Sequence, residues 1–118
     1  MTLESTVLLR NPGNVLPLDR SKLSTVLVVG PSANDIAIQA HTYHGNPSRW
    51  ITIYDAVVAS VGAGVDVKLL PGCSRTSGDR SGFGAALAAA AVADATIFVG
   101  GLEASMEEEG AFIYLTSI

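Results

Sequence analysis

The chain has 118 residues, 48% of them hydrophobic, with seven basic against eleven acidic side chains and a net charge of −4. That length and apolar content suit one small domain with its own core, and the acidic balance lacks the clustered positive charge a nucleic-acid partner requires. A single cysteine, Cys73, excludes an internal disulfide and a zinc site built on several thiolates.

No apolar stretch is long enough to cross a bilayer, and the opening MTLESTVLLRNPGN has an acidic start without a cleavable apolar segment, so the residues read as a soluble chain with no membrane insertion and no export signal. Residues 1–24 read as a linker-like segment packing on a domain that occupies residues 25–118. That domain opens with TVLVV at Thr25–Val29, an unbroken β-branched run stopped by Gly30 and Pro31, which predicts a strand buried on both faces. GPSAND (residues 30–35) and YHGNPSR (residues 43–49) carry the Gly, Pro, Asn and Ser of loops, with at most a helical turn between them. Thr52 then caps a predicted helix with Ile53, Val57 and Val61 at four-residue spacing, ended by Gly62 and Gly64. A second strand is predicted at residues 67–70, stopped by Pro71 and Gly72 and followed by a Ser-rich loop over residues 73–82. Alanine dominates residues 83–93 and predicts a helix; residues 95–101 return to strand character. Strands alternating with helices at these lengths predict an α/β fold, a mostly parallel sheet flanked by helices in three layers with right-handed crossovers. In such sheets, ligand groups gather beyond the carboxyl ends of the strands.

GGLEASMEEEG, residues 100–110, lies beyond such an end and delivers Glu103, Glu107, Glu108 and Glu109 within seven residues. Crowded carboxylates repel one another, and partial burial would raise the pKa of at least one toward a general acid's range. The plainer reading is a solvated acidic loop, or a helix start that favours negative charge. Tyr43 and Trp50 flank a Gly-Asn-Pro turn and offer faces on which a sugar could stack, against the plainer role of covering the core edge. His41 and His44 are three residues apart, but without a third ligand they read as loop hydrogen bonders, so no metal and no cofactor is expected. VLVVGPSAN begins like a dinucleotide-binding unit but has no GxGxxG, and Pro31 has no N–H to offer a pyrophosphate. Nothing evident activates Cys73 as a nucleophile, and it reads as a packed thiol.

Four strings in order, ESTVLLRNPGNVLPL (residues 4–18), TVLVVGPSAND (25–35), LLPGC (69–73) and FGAALAAAAVADATIFVGGLEASMEEEG (83–110), resemble the C-terminal α/β sandwich domain of glycoside hydrolase family 3, most of all its fungal β-xylosidases. The resemblance implies a two-domain active site in which a preceding barrel carries an aspartate nucleophile and the sandwich domain lends an acid/base glutamate. The matching position is Glu107, with Glu109 the second choice; Trp50, Tyr43 and Glu103 are candidates for substrate binding. Two departures stand out: no barrel precedes ESTVLL, and after Glu-Gly the family's Arg- and Asp-containing stretch is replaced by AFIYLTSI. These suggest a truncated or alternatively spliced sandwich domain, incomplete relative to the family, with an uncovered sheet edge and self-association into a homo-oligomer through that edge or the tail. The expected function is a non-catalytic, lectin-like carbohydrate-binding protein, the alternative being one part of a β-xylosidase or β-glucosidase. Relatives of this kind are often secreted.

Overall fold

A computed structural model describes residues 2–40, 45–103 and 106. The run Thr25–Val29 forms strand β1, and its Val26, Leu27 and Val28 are 0% exposed, the burial expected of a strand without polar side chains at its middle. Strand β2 (Asp66–Leu70) and strand β3 (Ala95–Phe98) lie parallel on either side of it, in the order β2-β1-β3. Thr25 stands beside Asp66, Val29 beside Leu70, and Val26 beside Ala95. Before the sheet come a helical turn, α1 (Thr2–Ser5), and two 3-10 turns at Pro12–Asn14 and Arg20–Lys22.

Helix α2 (Ile53–Val61) connects β1 to β2, and helix α3 (Phe83–Ala90) connects β2 to β3. The chain leaves β1 toward one edge and returns past it toward the other, so two right-handed crossovers require the helices on opposite faces of the sheet. Side-chain alternation agrees. Val26 and Val28 join a cluster with Tyr54, Val57 and Val61 of α2, while Val29 points to the other face, where it and Ala86 of α3 both border Gly72. This is the three-layer α/β arrangement anticipated from the alternating pattern.

Local signals set the helix ends. The Thr52 hydroxyl accepts from the Asp55 amide at 3.0 Å while the Asp55 carboxylate accepts from the Thr52 amide at 3.3 Å, a reciprocal cap that satisfies two orphan donors. Gly62 closes the other end of α2. The alanine-rich helix expected over residues 83–93 stops at Ala90. Asp94, four residues further on, is committed to the start of β1: its carboxylate accepts from the Ser24 and Thr25 amides at 2.7 and 2.9 Å, and its own amide donates to the Thr25 carbonyl at 2.9 Å. The chain therefore has to leave the helix axis before residue 94.

Strand β3 likewise ends at Phe98 rather than running to residue 101. The Val99 amide still donates to the Val29 carbonyl at 2.7 Å, but β1 turns away at Gly30, whose φ is +131°, and leaves β3 without a partner. At that turn the Gly30 backbone presses against the carbonyl of Val99, in space a Cβ would need. Among the described residues the outer edge of β3 carries no strand, and Phe98 (70%), Leu87 (71%) and Val92 (69%) are exposed.

Gly30→Ala combines a positive φ with a backbone collision and should destabilise the fold by about 3 kcal/mol or more. Gly84→Ala, inside α3 with open space around its Cα, should instead stabilise by roughly 0.5–1 kcal/mol. Denaturant midpoints of the two variants check the opposite signs.

Candidate functional site

The loops leaving the carboxyl ends of all three strands meet in one polar cleft. It has a volume of about 270 Å³ and is lined by Pro31 and Asp35 after β1, Pro71, Ser74, Arg75 and Thr76 after β2, and Glu103 after β3. The position follows from topology: connections depart from β1 in opposite directions, which opens a crevice at the carboxyl end of the sheet.

Arg75 organises the cleft. Its Nη2 lies 2.7 Å from an Asp35 carboxylate oxygen and 2.8 Å from one of Glu103, and its Nη1 donates to the Pro31 carbonyl at 3.0 Å. The three side chains are 18%, 28% and 19% exposed, so these charge-assisted contacts are partly shielded from solvent but open to the cleft. The guanidinium hydrogen bond, followed by the Ala37 amide donating at 2.8 Å, holds the Asp35 carboxyl below the usual aspartate range. Pairing with Asp35 in turn raises the pKa of Arg75. One cation against two carboxylates leaves the cluster with a net negative charge.

Short-range hydrogen bonds build the loop that presents Arg75. The Ser74 hydroxyl accepts from the amides of Thr76 and Ser77, both at 3.3 Å, and Asp79 accepts from the amide and hydroxyl of Ser81 at 2.9 and 3.1 Å. The base of the loop is pinched where Gly82 meets the backbone of Gly72, an approach a Cβ at residue 82 would block. On the β3 side, the Met106 amide donates to the carbonyl of Glu103, the residue Arg75 grips, at 2.9 Å.

The sequence-predicted candidates divide clearly. Glu103 lies in the cleft. Trp50 is half-buried just ahead of the α2 cap and is not among the residues lining the cleft. Tyr43, Glu107 and Glu109, and with them His41, His44 and Glu108, lie outside the described residues. Among the described residues no cluster of three or more His, Cys, Asp or Glu side chains could hold a metal ion. Arg75 and Asp35 escaped the sequence reading; the usable signal was their placement directly after predicted strands that share one sheet end.

A second concavity, about 380 Å³, runs between α2 and the N-terminal segment, bounded chiefly by Leu18, Leu23, Ile53, Val57, Val61 and Ile97. Its apolar lining offers little to orient a polar ligand.

A family profile described as "Glycosyl hydrolase family 3 C-terminal domain" matches residues 6–114. The chain is 38% identical over 109 residues to a probable beta-D-xylosidase 6 of Arabidopsis thaliana, an alignment covering 92% of this chain and 13% of the relative. It is 36% identical over 110 residues to a probable exo-1,4-beta-xylosidase of Aspergillus niger, covering 90% and 13%. A beta-xylosidase of Formosa agariphila is 33% identical over 104 residues, covering 83% and 14%. Among solved structures, a family 3 exo-beta-xylosidase in complex with a xylobiose aziridine activity-based probe superposes with a TM-score of 0.70 at 37% identity, over 80% of this chain and 12% of that one. The chain thus spans about an eighth of the length of these relatives, and the likeness extends to plant and bacterial proteins as well as fungal ones.

The depressed Asp35 carboxyl gives a signed pH dependence. Its folded pKa lies below the ordinary value of 3.8, so its contribution to stability is complete above that value and is lost as pH falls through the folded pKa. Arg75→Met should move the Asp35 midpoint upward, with the Ala37 amide retaining part of the depression. Carbon-detected NMR titration of the carboxyl measures both; an unmoved midpoint would show that the guanidinium is not its cause.

Proposed function

Because the chain belongs to the glycosyl hydrolase family 3 C-terminal domains, we propose that its polar cleft binds carbohydrate and that the segment after β3 supplies the acid/base carboxyl of a β-xylosidase-type site. The observation that carries this reading is the convergence of Asp35, Arg75 and Glu103 at the carboxyl end of the sheet, with Glu103 four residues before Glu107 in the sequence. Sugars are recognised by groups that donate to and accept from hydroxyls. Here carboxylate oxygens accept, the guanidinium donates, and the Ser74 and Thr76 hydroxyls do both. The names of the relatives favour xylosides as the substrate class.

Retaining hydrolysis needs two carboxyl groups about 5 Å apart, one attacking the anomeric carbon and one protonating the leaving oxygen. Asp35 and Glu103 are both engaged by Arg75, an arrangement that suits holding hydroxyls and orienting loops rather than attacking carbon. On this reading the acid/base is Glu107, with Glu109 as the alternative, and the nucleophile belongs to a barrel domain outside these 118 residues. The polypeptide by itself then acts as a non-catalytic, lectin-like carbohydrate binder. With the barrel it forms part of a β-xylosidase or β-glucosidase that hydrolyses O-glycosyl bonds.

Calorimetric titration with xylobiose should show saturable binding with a dissociation constant on the order of 1 mM, about 4 kcal/mol. A chromogenic aryl xyloside should remain uncleaved by the same chain. Turnover that disappears in Glu107→Gln would overturn the non-catalytic part of the reading; a blank titration would overturn carbohydrate binding.

A further inference from the structure

We propose that Arg75 is a positioning residue that holds Glu103 and, through the Glu103 carbonyl, the Met106 amide, the residue that precedes Glu107 in the sequence. The inference rests on Glu107 as the acid/base carboxyl, and it concerns the residues that lead into it rather than what it does. The connection is continuous in the described residues: the Arg75 guanidinium grips the Glu103 side chain at 2.8 Å, and the Glu103 carbonyl accepts the Met106 amide at 2.9 Å. Glu107 follows Met106 directly in the chain. At its other side the guanidinium is fixed to the β1 loop by Asp35 at 2.7 Å and by the Pro31 carbonyl at 3.0 Å.

The direction of control follows from what anchors each end. Pro31 and Asp35 stand next to the most buried strand of the sheet, and Pro31 is only two residues beyond the Val29 carbonyl that pairs with Val99. The segment after β3 has left its ladder by residue 100, where strand pairing to β1 no longer guides it. A planar guanidinium with several donors reaches the β1 loop and the β3 segment at once, whereas a lysine ammonium presents a compact point charge on a flexible stem. The same cation offsets charge where an acidic segment begins. Without it, Asp35 and Glu103 would face each other as like charges and repel.

The test compares three variants of the full chain, Arg75→Met, Arg75→Lys and Glu103→Gln. The readout is the solvent-exchange rate of the Met106 amide by NMR, with the Val28 amide in β1 as internal reference. Loss of a charge-assisted hydrogen bond should accelerate Met106 exchange by about tenfold in Arg75→Met and Glu103→Gln, while the Val28 rate stays unchanged. Arg75→Lys should restore part of the protection, a rescue that mere filling of space by the side chain would not produce. Combining Arg75→Met with Glu103→Gln should add little to either alone, because both cut the same connection. An unchanged Met106 rate in Arg75→Met overturns the proposal. If Arg75→Met does not fold, Glu103→Gln, which keeps the side chain's shape, decides the matter by the same criterion. Xylobiose titration of the unsubstituted chain separates the two readings: a blank there removes carbohydrate binding, while the Met106 rates still judge the role of Arg75.

Discussion

Burial of Val26, Leu27 and Val28 at the middle of the sheet is the constraint from which the architecture follows. A strand whose consecutive side chains are all removed from water has to be covered on both faces and paired along both edges. With β1 central, the chain moves outward to β2 and then back across to β3. Right-handed crossovers then place α2 and α3 on opposite faces, and the loops beyond β1 diverge to open a crevice. The polar cleft is therefore a consequence of packing three apolar residues and needs no separate folding instruction.

Close backbone approach sharpens that consequence. Gly30 lets β1 end against the Val99 carbonyl, which draws the carboxyl ends of β1 and β3 together at the point where their loops part. Gly82 against Gly72 closes the base of the loop that carries Arg75. Each glycine contributes by what it lacks: a Cβ at either place would push apart segments that have to meet for Arg75 to reach Asp35 and Glu103. The Ser74 and Asp79 turns then spend local polar side chains on shaping the loop, leaving the guanidinium to face the cleft.

Features encoded by neighbours in the chain were legible in the sequence. TVLVV announced a buried strand, and Thr52 with Gly62 bracketed α2, because capping chemistry and apolar continuity act within a few residues. Features encoded by distant neighbours were not. Nothing near residue 94 in the chain shows that Asp94 is committed to the start of β1, so the alanine run promised a longer helix than forms. The end of β3 is hidden for the same reason, since residues 99–101 remain apolar or small after their partner strand has turned away. In the cleft, Glu103 stood out within an acidic run, whereas Asp35 and Arg75 sit forty residues apart in unexceptional polar loops. Only the shared carboxyl end of the sheet joins them.

The charge balance of the cleft explains why an arginine belongs at residue 75. Two carboxylates without a cation would repel and drive the β1 and β3 loops apart; with one cation they are held together and still leave net negative charge toward the cleft. A second cation would neutralise the cluster and remove acceptors that hydroxyl groups can use. The guanidinium has donors enough to hold both carboxylates and the Pro31 carbonyl without deprotonating at any physiological pH, so the junction of the loops does not titrate through its cation. The cation that joins the β1 and β3 loops therefore keeps its charge while the carboxylates around it remain free to respond to pH.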